Sequence, residues 1–330
     1  ASIINEKARR LTEAGREIQA ASMMDEMSPE AVVLSAAQTI QKYNEKITNP
    51  KKLIPELTGK IAKEFSDRAT EIGKMAEGRD RNIAVTKLRQ DLANLIPSSA
   101  SSKLVTVWKA GLLTSPRTTM RNIIGNTVHG IAEVVKDPIA ALNDSLLSRS
   151  TGNRELTATL KGRGKGAIEG LKTGKDILKY GFDPEHSVEK NGGMHITWKK
   201  NKVEQAAKVY TEAVFNWMGA QDKVFYKSAE RGSLYDQAGA AAINAGKKGD
   251  KAFIQNLVDN PTQQMKLTAV HDAQVAVFQN SNLGSQFASR AKSLLKEHSE
   301  LAGAGLDVVM PFTGVPSSIA GQVMSYSPVG

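Results

Sequence analysis

The stretch VEQAAKVYTEAVFNWMGAQDKVFYKS, residues 203–228, decides the fold class. Val203, Ala207, Tyr210, Val214, Trp217, Gln221, Val224 and Ser228 recur at alternating steps of four and three. That spacing is one face of a long helix with a narrow seam. The seam predicts a core stripe. Asp222, with Lys223 beside it, reads as a member of an ion pair rather than as a catalytic carboxylate.

Helical periodicity extends outward from this stretch in both directions. Ile4, Ala8, Leu11 and Ile18 share a stripe. Ser28-Pro29 is a cap followed by a first-turn proline, launching a helix with Val33, Ala37, Ile40 and Tyr43 on one side. Asn49-Pro50 and Ile54-Pro55 break the chain. Leu57, Ile61, Phe65 and Ile72 predict a helix ending near Gly78, and Ile83, Leu88, Leu92 and Leu95 predict the next. Pro97 to Ser102 reads as a linker. Ser115-Pro116 repeats the cap device before Met120, Ile123, Ile124, Ile131 and Val134, a run that Asp137-Pro138 stops. Gly246 to Gly249 form a basic turn, and Asn260-Pro261 opens a helix with Leu267, Val270, Val275 and Phe278. The expected fold is all-α: an array of amphipathic helices with at most one small hairpin near 190–200, where Met194 to Trp198 alternate. Three regions are expected: an N-terminal helical region 1–97, a basic region 98–185 with a glycine ridge, and a C-terminal helical region 186–330.

The net charge is +10 over 330 residues. Residues 101–200 hold most of the excess, with 16 basic and 9 acidic side chains. Within them Arg149, Arg154, Lys161, Arg163, Lys165, Lys172, Lys175 and Lys179 face only Glu155, Glu169 and Asp176. Such a field suits phosphate, of lipid headgroups or of nucleic acid. Aromatics are scarce there, which weakens base stacking. Gly162, Gly166, Gly170 and Gly174 recur every four residues in the same segment. On a helix they form one smooth ridge that admits a close backbone, either of another helix or of a helix partner at a membrane. Leu301–Gly330 has Asp307 as its only formal charge, and calls for cover by the fold, a neighbouring subunit or lipid.

The absence of cysteine excludes disulfides, thiolate zinc sites, iron–sulfur clusters and cysteine nucleophiles. No apolar run reaches the ~18 residues of a spanning helix. No signal-peptide pattern opens the sequence, and both ends read as cuts within a longer polypeptide. His129, His186, His195, His271 and His298 show no metal spacing, and neither HExxH nor GxSxG occurs. Gly170 to Asp176 has the wrong spacing for a phosphate-binding loop of the Walker type. The reading therefore assigns no catalytic residue, metal or cofactor.

LLTSPRTTMRNIIGN at 112–126 resembles a phrase of the internal virion, or DNA-ejection, proteins of phages and prophages and of related large polyvalent proteins. It carries Ser115, Pro116, Arg117, Arg121, Asn122 and Asn126. QDKVFYK at 221–227, with Asp222, is similar to a second phrase, and FQN at 278–280 to a third. MPFTGVPSSI at 310–319, with Pro311, Phe312 and Pro316, is similar to the last, although Gly314 and Ser317 depart from it. The phrases keep their order over roughly residues 104–330.

The resemblance implies a segment of a larger bacteriophage polypeptide. Such a segment is carried inside the capsid or tail and delivered with the genome to the host envelope, and the resemblance implies no catalytic residue. The expected role is non-enzymatic genome delivery by self-assembly and by contact with anionic membrane or DNA, with other virion proteins as neighbours. The alternatives are a structural virion component, of portal, tail or scaffold kind, that binds only protein, and a fragment of an enzyme acting on cell wall or nucleic acid.

Overall fold

A computed structural model describes residues 28–45, 53–54, 57, 59–98, 100–114, 138, 141–149, 152–154, 157–158, 160–184 and 196–277. Among these the chain is all-α, without a strand. The helices are α1 (Pro29–Glu45), α2 (Gly59–Gly73), α3 (Arg79–Ala93), α4 (Ala100–Leu113), α5 (141–149), α6 (Leu160–Tyr180), α7 (Lys202–Asn244), α8 (Lys251–Asp259) and α9 (Gln263–Ala276). Of the hairpin expected near 190–200, residues 196–200 form no strand, and the rest lies outside the described residues. So do the phrases at 115–126 and 310–319 and the segment Leu301–Gly330. The described residues divide into two compact units. One lies within Gln19–Gly111 and Asp176–Asn216, the other within Leu112–Lys175 and Trp217–Gly330.

The first unit is built on α1, α2 and α3. Ser28 Oγ accepts from the Ala31 N–H at 3.2 Å, so the Ser-Pro pair caps α1. Glu30 in the first turn and Lys42 in the last suit the helix dipole. Asn44 then clamps the returning chain: its amide donates to the Ile54 carbonyl at 2.8 Å and accepts from the Ile54 N–H at 2.9 Å. Phe65, Ala69 and Ile72, spaced at i, i+4 and i+7, close on Val32, Leu88 and Leu92 to form the core. Ile61, expected on that face, is exposed. α2 stops at Gly73, short of the expected Gly78. Gly78 instead precedes α3 at φ 145°, a conformation that suits glycine.

The serine run at 98–102 does not stay a linker, because α4 begins at Ala100. Ser98 Oγ accepts from the Thr197 N–H at 2.9 Å, and Thr197 Oγ1 donates to the Ile96 carbonyl at 2.7 Å. Lys103 donates to Glu204, which also accepts from the Lys199 N–H. These bonds, led by the Lys103 ammonium, hold the Glu204 carboxyl down at about 2.

The second unit is built on α7. Gly246 and Gly249, at φ 69° and 82°, form the turn into α8. Asp250 caps α8 by accepting from the Ala252 and Phe253 N–H groups, and Thr262 caps α9 by accepting from Met265 N–H. Leu234, Tyr235 and Ala238 of α7 pack with Val258, Met265 and Ala269. The buried row of α9 is Met265, Ala269 and Ala273, not the larger Leu267, Val270 and Val275 expected. Ala269 and Ala273, four apart, put small side chains on that buried face.

Three residues of the seam expected to be core are exposed, while Ala207 and Val214 between them are half-buried. Val203 is 80 % exposed, Tyr210 38 % and Trp217 51 %. Heptad spacing places residues on one face. It does not supply the partner that would cover them.

Leu88 is fully buried whereas Leu34 on α1 is exposed. Leu88→Ala is expected to cost about 2–5 kcal/mol in denaturant unfolding. Leu34→Ala, judged by the same transition, stays within about 0.5 kcal/mol.

Candidate anion-binding face

Gly162, Gly166, Gly170 and Gly174, four of the five glycines of α6, lie against the main chain of α7. A Cβ on Gly162 would stand 2.7 Å from the Arg231 carbonyl oxygen and 2.8 Å from the Tyr235 ring. One on Gly166 would stand 2.0 Å from the Lys227 oxygen, one on Gly170 2.6 Å from the Lys223 oxygen, and one on Gly174 2.9 Å from the Ala220 oxygen. Numbers rise on α6 as they fall on α7, so the helices run antiparallel. No side chain fits between them. The ridge is therefore a seat for a helix of the same chain, with carbonyls facing glycine Cα hydrogens at a distance a Cβ would forbid.

Charged side chains close the flanks of this seat. Glu169 of α6 lies 3.7 Å from Lys227 Nζ and 3.5 Å from Arg231 Nε. Lys227, nearly buried, also donates to Glu230 at 2.9 Å. Arg231 reaches Asp259 of α8 at 3.8 Å. The buried Lys223 ammonium stands 5.0 Å from the Tyr226 ring centre. Sequence reasoning missed this charged layer. Its only signal was a lysine or arginine at 223, 227 and 231, in step with the glycines. Asp222, next to it and partly buried, has its carboxyl pushed up to about 7 by burial.

The eight basic residues expected to meet anions separate into groups. Arg154 is held inside the unit: its Nε lies 3.0 Å from Asp144 and it donates to the Ala141 carbonyl at 3.2 Å. Its main chain is paired with the Asn244 amide in both directions, at 2.7 Å. Arg163 lies along α7, its Cγ filling the space beside Gly232. These two side chains serve the fold. Lys165 donates to the Tyr235 hydroxyl at 2.7 Å and to Gln255 Oε1 at 3.1 Å, which pins it to the surface. Lys161, 5.8 Å from the Tyr235 ring centre, and Lys172, Lys175 and Lys179 point outward from α6, and Arg149 is exposed on α5.

At 100° per residue Lys161, Lys172 and Lys175 sit on the arc of α6 opposite the glycine ridge. Leu160, Ile168 and Leu171 share that arc within the second unit and are exposed. The result is a rigid helix whose free side mixes ammonium groups with aliphatic carbon.

Among the described residues no cluster of His, Asp and Glu could hold a metal ion. No described helix is long and apolar enough to cross a membrane. Ser115, Pro116, Arg117, Arg121, Asn122, Asn126, Pro311, Phe312 and Pro316 lie outside the described residues. Comparison with known proteins returns no family model, no curated protein and no solved structure that matches the chain.

Two substitutions on one helix separate ridge from surface. A Cβ at Gly164 meets nothing within 4 Å. Gly164→Ala is expected to raise stability by about 1 kcal/mol through helix propensity. Gly166→Ala is expected to lower it by at least about 1–3 kcal/mol, because α6 must move off the Lys227 carbonyl. Thermal melts of the pair measure the difference.

Asp222 gives a pH signature. Between its ordinary 3.8 and about 7 the folded chain keeps a proton that the unfolded chain has lost. Its contribution to stability therefore falls as pH rises through that window and is constant above it. Asp222→Asn should remove this slope and add on the order of a few kcal/mol above pH 7, as read by urea unfolding against pH.

Proposed function

We propose that this chain is a non-enzymatic, all-α segment of a bacteriophage internal protein. It travels in the virion and acts at the host envelope during genome delivery, through self-assembly and contact with an anionic partner. The observation that supports this reading is the outer arc of α6. Its lysines project from a helix whose other side is locked onto α7 by glycine–carbonyl contacts. A fixed array of ammonium groups is suited to repeated phosphate rather than to one small substrate. The resemblance at 112–126, 221–227 and 310–319 supplies the phage setting. The reading assigns no catalytic role to any residue.

A second reading is favoured by the first half of α7. Val203 and Tyr210, seven residues apart within the first unit, make an exposed apolar row. That row suits a structural virion component whose only partners are proteins.

Salt separates the two. Mass photometry of the chain with anionic liposomes and with duplex DNA should show capture at low salt that falls steeply as salt rises. Lys172→Glu with Lys175→Glu should weaken capture about tenfold or more. A chain indifferent to both ligands, but forming a salt-tolerant assembly, would favour the second reading.

A further inference from the structure

We propose that the partner of the α6 arc is the surface of an anionic lipid bilayer, with the helix lying along the headgroup layer. The proposal rests on the reading that the chain meets an anionic partner, and it names which one. Over Leu160–Lys175 the arc presents Leu160, Ile168 and Leu171, 68 %, 60 % and 56 % exposed, interleaved with Lys161, Lys172 and Lys175.

The aliphatic residues decide between lipid and nucleic acid. A DNA backbone offers phosphate and sugar, which lysine binds and leucine does not. Single-stranded nucleic acid adds bases, which need aromatic faces, and this arc carries none. A bilayer surface offers both needed environments a few ångströms apart. Its acyl boundary takes the branched aliphatic ends, and its phosphates take ammonium groups that reach outward on flexible stems. Charge is complementary. Glu169, the one carboxylate of α6 within these residues, is turned to Lys227 and Arg231 of α7 and does not oppose a phosphate.

The helix is also held rigidly. An isolated helix with five glycines would lose its order at a membrane. Here α7 supplies the support, since the main-chain seat fixes both the position and the rotation of α6. The arc is presented already formed, so no ordering is left to be done on contact.

The test uses the whole chain with vesicles of phosphatidylcholine alone, vesicles containing phosphatidylglycerol, and duplex DNA. Ile168→Ser with Leu171→Ser removes the aliphatic part, and Lys172→Glu with Lys175→Glu reverses the charge. All four positions are exposed, and far-UV circular dichroism checks that each variant is folded. The chain should bind phosphatidylglycerol vesicles and not phosphatidylcholine alone. The serine variant should lose about tenfold or more in vesicle affinity while any DNA binding is unchanged. The glutamate variant should lose about tenfold or more. Leu171→Trp should shift its emission to the blue on phosphatidylglycerol vesicles, because its ring leaves water.

Vesicle and DNA binding that both fall with the glutamate variant, and ignore the serine variant, would overturn the lipid assignment and leave the anionic-partner reading standing. Vesicle binding unaffected by either variant would also overturn it. Binding of neither ligand would remove the anionic-partner reading, and the proposal with it.

Discussion

The second unit depends on one contact: four glycine Cα atoms of α6 against four carbonyl oxygens of α7. Each glycine in a helix interior costs about 1 kcal/mol against alanine. Four in register amount to a deficit that local structure cannot recover. Close packing of two main chains offsets it, through dispersion over a long seat and through weak Cα–H···O contacts. The constraint reaches beyond the seat. With glycine at these positions facing α7, Leu160, Lys161, Ile168, Leu171, Lys172 and Lys175 fall on the opposite arc, so the register of the seat also sets which side chains face outward.

Glycine at steps of four is degenerate by itself, since a slide of one turn again places glycine against carbonyl. The side chains at the flanks remove that freedom. Glu169 reaches Lys227 and Arg231 together, and Arg231 extends to Asp259 of α8. Tyr235 stands against Gly162 and shares its hydroxyl with Lys165 and Gln255. Packing thus sets how close the helices come, and charge sets the register. The half-buried Asp222 beside this layer carries the opposite burden. Burial alone governs its carboxyl, which makes the charged form unfavourable near neutral pH.

Much of the fold could be read from residue order. The cap at Ser28-Pro29, the cores of α2 and α3, the turn at Gly246 and the glycine ridge are local patterns with local causes. What the ridge meets was not legible, because its partner is main chain, and carbonyl oxygens leave no mark in a sequence. The fate of Arg154 was hidden for a related reason. A count of charges places it in a basic field, but Asp144 and the Ala141 carbonyl hold it inside the fold. The seam of Val203, Tyr210 and Trp217 misled in the other direction. Periodicity is a property of one helix, whereas burial is a property of two. The row was read correctly as a face and wrongly as a core.

Two described surfaces differ in kind. The first half of α7 bears aromatic and aliphatic groups at heptad spacing, and Lys208 and Glu212 pair with each other on the same helix at 3.8 Å. A partner for that row gains by excluding water, and salt has little to screen. The arc of α6 mixes aliphatic groups with exposed lysines, and Glu169 of the same helix is turned to Lys227 and Arg231 of α7. The partner proposed for it brings anions and tolerates carbon beside them. The two faces therefore answer differently to ionic strength, which follows from which side chains are already neutralised within the fold.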